Sequence, residues 1–358
     1  MTMKAASNRT YLATVATAVP PYRADQKTAS EFFNLHYEGK IKARSLGILE
    51  KLLKHPSIES RYFALDDPAC LIDESRDDRV RRFTTWGVDL ACQASAKALD
   101  QAGLVPADID ALVINTCTGY LCPGLTSYVA EQLGLGRGVP AFDLVGGGCA
   151  GALPGLMIAE GQLASGKAGA VLCVSVEICS ATFHMGDDIS LLLSNVLFGD
   201  GAAAAVLWTE PRGLELIGTS TRHLPEERDS IRYIHRNGDL HNQLSTSLPR
   251  IMAPVVRETV MALVKDTGIS IDQVRHWALH GGGDSVISGV GNSLGLTESQ
   301  LAATRRVLHK FGNMSSPSSL FVLRELLDEG IKKGDWVLLA AFGAGLTTHA
   351  SLFRAGSL

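Results

Sequence analysis

Three short stretches of the chain carry side chains able to make and break bonds at carbon. Cys149 stands in Asp143-Leu144-Val145-Gly146-Gly147-Gly148-Cys149-Ala150-Gly151, where three glycines permit a sharp turn that leaves a thiol open to approach. The apolar run 150–164 that follows reads as a helix, with Pro154 tolerable because it falls in the first turns. Strand, tight turn and helix form a nucleophile elbow, with sulfur replacing oxygen. At a helix N-terminus, the dipole and free amides are expected to favour the thiolate. His280 ends the predicted strand Trp277-Ala278-Leu279 and precedes three glycines, at the carboxyl edge where α/β sheets place functional groups. Asn313, in Gly312-Asn313-Met314-Ser315-Ser316, opens the stretch leading to a helix over 320–329. Alone it reads as a helix cap.

As a set the three make chemical sense. Imidazolium stabilises a thiolate, which attacks a thioester. His and Asn both donate hydrogen bonds to a carbonyl oxygen as it becomes an enolate. An acyl group held on sulfur beside an enolate is what a decarboxylative Claisen condensation requires. Cys70, Cys92 and Cys173 read instead as buried structural thiols. Gly134-Leu135-Gly136-Arg137-Gly138 and Gly289-Val290-Gly291 lack a dinucleotide fingerprint and a phosphate-loop lysine. Cys117 and Cys122 lack zinc-type spacing, so no metal or redox cofactor is expected.

The elements that must position these groups belong to a chain of 358 residues, 46% hydrophobic. That apolar fraction is ample for a buried core and excludes intrinsic disorder. Thirty-three basic against 37 acidic residues leave a charge of −4, which argues against nucleic acid as a partner. No apolar run reaches the ~18–20 residues of a membrane span, and the best, 168–179, is interrupted by Glu177. Residues 1–10 lack the apolar core of a signal peptide, and the seven cysteines are odd in number. A cytoplasmic protein with reduced thiols is expected.

A faint internal repeat organises the chain at an offset of 165 residues, Ala111 answering to His276 and Ala170 to Asp335. In each copy a helical stretch (88–101, 255–265) leads through a Gly-bearing turn into a short apolar strand (111–114, 276–279). Such helix–turn–buried-strand units are the pattern of parallel α/β layers. The sequence predicts two related α/β halves, 1–214 carrying Cys149 and 215–358 carrying His280 and Asn313, dividing near Pro211–Gly218.

At these residues the chain resembles the chalcone-synthase-like type III polyketide synthases, homodimeric enzymes of the thiolase fold with duplicated αβαβα layers. The resemblance runs from about Tyr11 to Phe353. It includes Cys117-Thr118-Gly119-Tyr120-Leu121-Cys122-Pro123-Gly124, Leu197-Phe198-Gly199-Asp200-Gly201-Ala202-Ala203 and Phe342-Gly343-Ala344-Gly345-Leu346-Thr347. It implies that Cys149 carries starter and growing chain, and that His280 and Asn313 bind the malonyl thioester and stabilise its enolate. Phe198 would be the aromatic gatekeeper between the pantetheine tunnel and the cavity, with Asn242 at the second gate. Cys117, Cys179 and Thr182 stand where plant members carry cavity threonines, Ser315 matches the cavity serine, and Gly281 follows the catalytic histidine. Lys51 aligns with a basic residue near the tunnel mouth, where CoA phosphates pass.

By resemblance the substrates are malonyl-CoA and an acyl-CoA starter, with no cofactor and an acyl carrier protein as an alternative starter donor. The departures from the plant pattern look like bacterial members that extend long fatty-acyl starters. The small residues 281–283 and the missing second aromatic gate suggest a roomy pocket, and hence closure to alkyl-α-pyrones ahead of alkylresorcinols. The rival readings are a β-ketoacyl-carrier-protein synthase III performing one condensation, and a non-enzymatic scaffold. The three intact catalytic candidates disfavour the scaffold.

Overall fold

The computed structural model describes residues 9–357. The first half runs β1 (Tyr11–Ala18), β2 (Tyr22–Asp25), α1 (Gln26–Tyr37), α2 (Ala43–Leu53), β3 (Ser60–Phe63) and the long α3 (Arg76–Ala102). It continues through β4 (Ala111–Thr116), α4 (Leu125–Leu133), β5 (Ala141–Val145), α5 (Ala152–Ala164), β6 (Ala170–Glu177), α6 (Ile189–Leu197) and β7 (Gly201–Trp208). The second half comprises β8 (Leu214–His223), the hairpin β9 (Ile231–Arg236) and β10 (Asp239–Leu244), α7 (Leu248–Thr267) and β11 (Val274–Leu279). It ends with α8 (Asp284–Leu294), α9 (Glu298–Phe311), α10 (Ser318–Glu329), β12 (Trp336–Gly343) and β13 (Thr347–Ala355).

The repeat has a physical basis in its glycines. Gly103 closes α3 at φ 70° and Gly268 closes α7 at φ 72°, left-handed conformations open to glycine at little cost. In each case the next residue returns a bond to the last helical turn, Leu104 N to Leu99 O and Ile269 N to Val264 O. That closure turns the chain toward β4 and β11 alike.

The nine sheet strands lie in the order β11-β12-β13-β8-β1-β7-β6-β4-β5. Within the sheet, β1 and β8 are joined by only two residue pairs, Tyr11 with Glu215 and Leu12 with Leu214. Strand parity then builds five layers. Leu112, Ile114, Leu172 and Val174 face outward with α3 and α4 residues, whereas Val113, Val171 and Cys173 face inward. In β12, Leu338 and Ala340 pack outward with α7 and α8, while Val337 and Leu339 face inward. The inward residues of both halves share one core with α5 and α10, which form the middle layer. Because α5 is enclosed there, it is apolar nearly all round, with buried Leu153, Leu156 and Leu163.

The halves are not equal. The first contributes five strands and the second four, for nothing in the second pairs where β5 pairs with β4. Cys149 is therefore reached from a strand, and Asn313 from the helix α9. Beyond the sheet, α1, α2 and α6 share a small apolar cluster around Phe33, Leu49 and Leu192. Among the described residues no helix is long and apolar enough to cross a membrane.

Candidate active site

Cys149 lies in a single 3-10 turn, Gly148–Ala150, between β5 and α5. Gly148 has φ 55°, and a Cβ there would sit 2.7 Å from Ala344 N, so both conformation and space demand glycine. The thiol is 5% exposed. Burial pushes it up to about 12, while hydrogen bonds from Ser315, its own backbone N–H and Asn313 pull the other way. The expectation of a resting thiolate made by the helix dipole is thus corrected. The thiol sits three residues before α5 begins, buried where desolvation outweighs the hydrogen bonds it receives.

Asn313 is 2% exposed and caps no helix, since Pro317 stands at the N-cap of α10. Its Oδ1 accepts from Ser315 N at 2.8 Å and from Ser318 Oγ at 3.4 Å. With the oxygen so engaged, the amide NH2 is the end left to donate toward Cys149. Ser315 adopts φ 60°, which turns its hydroxyl between Cys149 and the Cys117 sulfur, 3.4 Å away. His280 follows the last residue of β11 and is 3% exposed, with neither ring nitrogen hydrogen-bonded. Burial lowers it to about 3, which keeps the ring neutral. Phe342 fixes it edge-on, centroids 5.0 Å apart. The adjoining Gly343 presses on the Cys149 turn, where a Cβ would lie 2.4 Å from Gly147 O. One strand end, β12, thus supports both the imidazole and the turn that carries the thiol.

Two cavities meet here. The first is a narrow space lined by Cys117, Cys149, Phe198, Tyr233, Asn242 and Ser315. The second includes Phe198 and Asn242 in its wall together with Cys179 and Thr182. It runs on to Phe32, Phe33, Phe63 and Leu191 and is mainly apolar. Phe198, 8% exposed at the end of α6, and Asn242 on β10 therefore stand on the boundary. Thr182 Oγ1 lies 3.3 Å from Tyr233 Oη across it.

Four nominated residues line neither cavity: His280 and Asn313 lie behind the walls, and Gly281 and Lys51 lie elsewhere. Gly281 lines neither cavity; a Cβ on it would meet Leu308 and Thr304 of α9 at 3.7 and 3.9 Å. Gly282 faces Phe342, and Gly283 faces Leu197, so the glycine run does not widen the catalytic cavity. Lys51 is exposed in the last turn of α2 and lines neither cavity. Cys92 and Cys173 are buried, but Cys70 is exposed, in a short turn where Leu71 alone points inward.

The residues the sequence reading missed are polar and deeply buried. Glu177 is fully buried at the end of β6 and accepts from Thr116 Oγ1, Cys117 N, Thr118 N, Thr118 Oγ1 and Ser316 Oγ at 2.5–3.1 Å. It thereby ties the Cys117 loop to the Asn313–Ser316 loop; its one signal was a charge interrupting an apolar strand. Burial raises its carboxyl, and those donors oppose the rise. Asp200, also fully buried, accepts from Ala64 N, Ser180 N and Ser180 Oγ. His184, Asp239 and His241 come within 4.8 Å of one another. The two rings stack in parallel at 4.1 Å, and Arg79 Nη1 already lies 3.1 Å from His184 Nε2. Their in-plane lone pairs run side by side and do not converge as metal ligands must.

A buried thiol with a carboxamide turned toward it, an adjoining apolar chamber, and a neutral imidazole packed on the strand whose end braces the thiol's turn form an arrangement able to hold an acyl group. The family model for chalcone and stilbene synthases, C-terminal domain, matches residues 215–356. That for FAE1/type III polyketide synthase-like proteins matches residues 5–264. The chain is 30% identical to a 3,5-dihydroxyphenylacetyl-CoA synthase of Streptomyces toyocaensis over 322 residues, 86% of this chain and 82% of the relative. It is 31% identical to the alpha-pyrone synthesis polyketide synthase-like Pks18 of Mycobacterium tuberculosis, over 77% of this chain and 72% of that one. The 1,3,6,8-tetrahydroxynaphthalene synthase of Streptomyces coelicolor, a bacterial type III polyketide synthase, superposes with TM-score 0.90. That match covers 97% of this chain and all of the other, at 24% identity, and it speaks to the fold alone. The chain belongs to the chalcone-synthase-like type III polyketide synthases. It is an α/β protein of the thiolase fold and a malonyl-CoA-using acyltransferase.

Proposed function

We propose that this synthase loads a long-chain acyl-CoA starter on Cys149, extends it repeatedly with malonyl-CoA, and releases mainly alkyl-α-pyrones. The observation that carries the reading is the mainly apolar chamber beyond Phe198, walled by Phe32, Phe33 and Leu191, which suits an alkyl tail. In loading, the Cys149 sulfur attacks the starter carbonyl while His280 takes the thiol proton, and the proton leaves with the CoA thiolate. Malonyl-CoA then loses CO2; the freed electron pair becomes an enolate whose oxygen accepts from His280 and the Asn313 amide. The enolate carbon attacks the acyl carbonyl, and the C–S bond to Cys149 breaks.

Pyrone closure is favoured because an enol oxygen attacking the thioester carbonyl makes the ring and frees the sulfur in one step. The aldol route to a resorcinol leaves the thioester still to be cleaved. Similarity to the pyrone-associated relative supports the same ranking; the glycines at 281–283 do not. The test is product mass across starters of increasing length with malonyl-CoA and no carrier protein, Cys149→Ala serving as blank. Lengthening starters should give alkylpyrones. A dominant resorcinol overturns the product, and a single-condensation product overturns the iterative reading.

Two halves, 1–214 and 215–358, and a homodimer complete the proposal. Association is supported by β5, an edge strand paired on one side only, with Val145 57% exposed. A monomer mass by light scattering would rule the dimer out. A cytoplasmic location is supported by seven unpaired cysteines. Lys51 is assigned to the CoA phosphates: Lys51→Met should raise KM for malonyl-CoA several-fold with kcat unchanged, and an unmoved KM removes it from the site.

A further inference from the structure

Arg61 is 2% exposed, yet no carboxylate lies in salt-bridge reach of it among the described residues. A guanidinium taken out of water without a carboxylate partner is costly, so what it holds is informative. Its Nη1 donates to Asn195 O at 2.6 Å and to Phe198 O at 3.0 Å. Both carbonyls belong to the C-terminal end of α6, where orphan acceptors and the helix dipole favour a cation. A third carbonyl of that end, Leu197 O, accepts from Asn313 N at 2.9 Å, and Gly199 N donates to Asn313 O at 3.0 Å. The helix that carries Phe198 is therefore closed by two outside groups, the Arg61 guanidinium and the main chain of Asn313. Arg61 also occupies the space beside the preceding residue: a Cβ on Gly312 would lie 2.7 Å from Arg61 Cγ and 2.8 Å from Leu197 O.

We infer that Arg61 is a positioning residue, the cap that fixes the Phe198 peptide and thereby aims the Asn313 carboxamide at the malonyl thioester. The inference rests on the enolate-stabilising role proposed for Asn313. Arg61 touches no reacting atom. Arg61 also lines the apolar chamber, so a long starter would feel its loss; the Cys149 turn itself is supported separately by Ala344 and Gly343. A lysine in its place keeps the charge but not the rigid donor fork.

The experiment separates two half-reactions in the full-length enzyme. Acylation of Cys149 by acetyl-CoA alone, whose acyl group is too short to fill the chamber, is read by intact mass, and decarboxylation of malonyl-CoA alone by acetyl-CoA release. Arg61→Lys should lower kcat for decarboxylation at least tenfold with KM for malonyl-CoA unchanged, and leave acylation within twofold. Retention of both within twofold overturns the inference. An equal fall in both also overturns it, since it marks a general structural role. If Arg61→Lys fails to fold, Gly199→Ala moves the same bridge from its other side, its added carbon lying 2.9 Å from Phe311 O. The same split is then required. Failure of the parent enzyme to condense malonyl-CoA with any starter would sink the proposed function instead, and that outcome is visible before any variant is made.

Discussion

His280→Ala is expected to slow iodoacetamide alkylation of Cys149 at pH 7 by about 100-fold or more, with the other thiols as internal controls. Burial above all, with the Glu177 charge adding to it, leaves the thiol at about 12. At that value roughly one molecule in 100,000 carries thiolate at neutral pH. The hydrogen bonds from Ser315 and Asn313 are already at work in that value and do not remove the burden. The group available to relieve it is His280, whose ring nitrogens are buried and have no partner of their own. The neutral ring can take the proton only as the sulfur attacks, a transient transfer that needs no hydroxide from solvent. The sign of the pH dependence follows. In the intact protein, alkylation should vary little between about pH 7 and 9, because the proton moves within the pair. In the variant, the rate should climb nearly tenfold per pH unit over that range, as expected for a lone thiol titrating far above it. Equal rates and parallel profiles for the two proteins would show that His280 does not activate the sulfur.

The second large effect concerns starter length. Ala29 of α1 is 8% exposed and lines the apolar chamber. Ala29→Phe should lower kcat/KM for a long-chain acyl-CoA at least tenfold and leave a short starter within twofold. Each methylene kept from water contributes up to ~0.8 kcal/mol, close to fourfold, so losing room for two or three carbons accounts for the drop. Overpacking the wall costs about 1–3 kcal/mol of stability, which a thermal melt measures alongside. Unchanged selectivity in a folded variant would place the alkyl tail elsewhere. An equal loss for both starters would show that the chamber wall supports the site as a whole.

The site was legible in the sequence to the extent that its chemistry is local. Three glycines before Cys149 announced a turn, and the turn is there, with Gly148 at φ 55°. The offset repeat announced equivalent helix-to-strand passages, and Gly103 and Gly268 close α3 and α7 in the same conformation. Where a glycine's neighbours come from another element, local pattern misled. Residues 281–283 looked like open space beside the histidine, but they are close-approach positions against α9, Phe342 and Leu197. The thiol's ionisation was misjudged for a related reason. A helix terminus is visible in sequence, whereas desolvation depends on everything packed around the turn.

From the chain alone came the side chains available for thioester chemistry, the strand and helix periods that carry them, and the doubling of the α/β unit. These are properties of near neighbours, settled by sterics and by hydrophobic alternation. The tertiary structure decided which of those side chains share a cavity, which proton each one holds, and what lies behind Phe198. It also decided that Arg61 reaches carbonyls 134 and 137 residues away, at the helix end that Asn313 also closes. Burial and long-range hydrogen bonding arise only when distant segments meet, and no spacing along the chain encodes them.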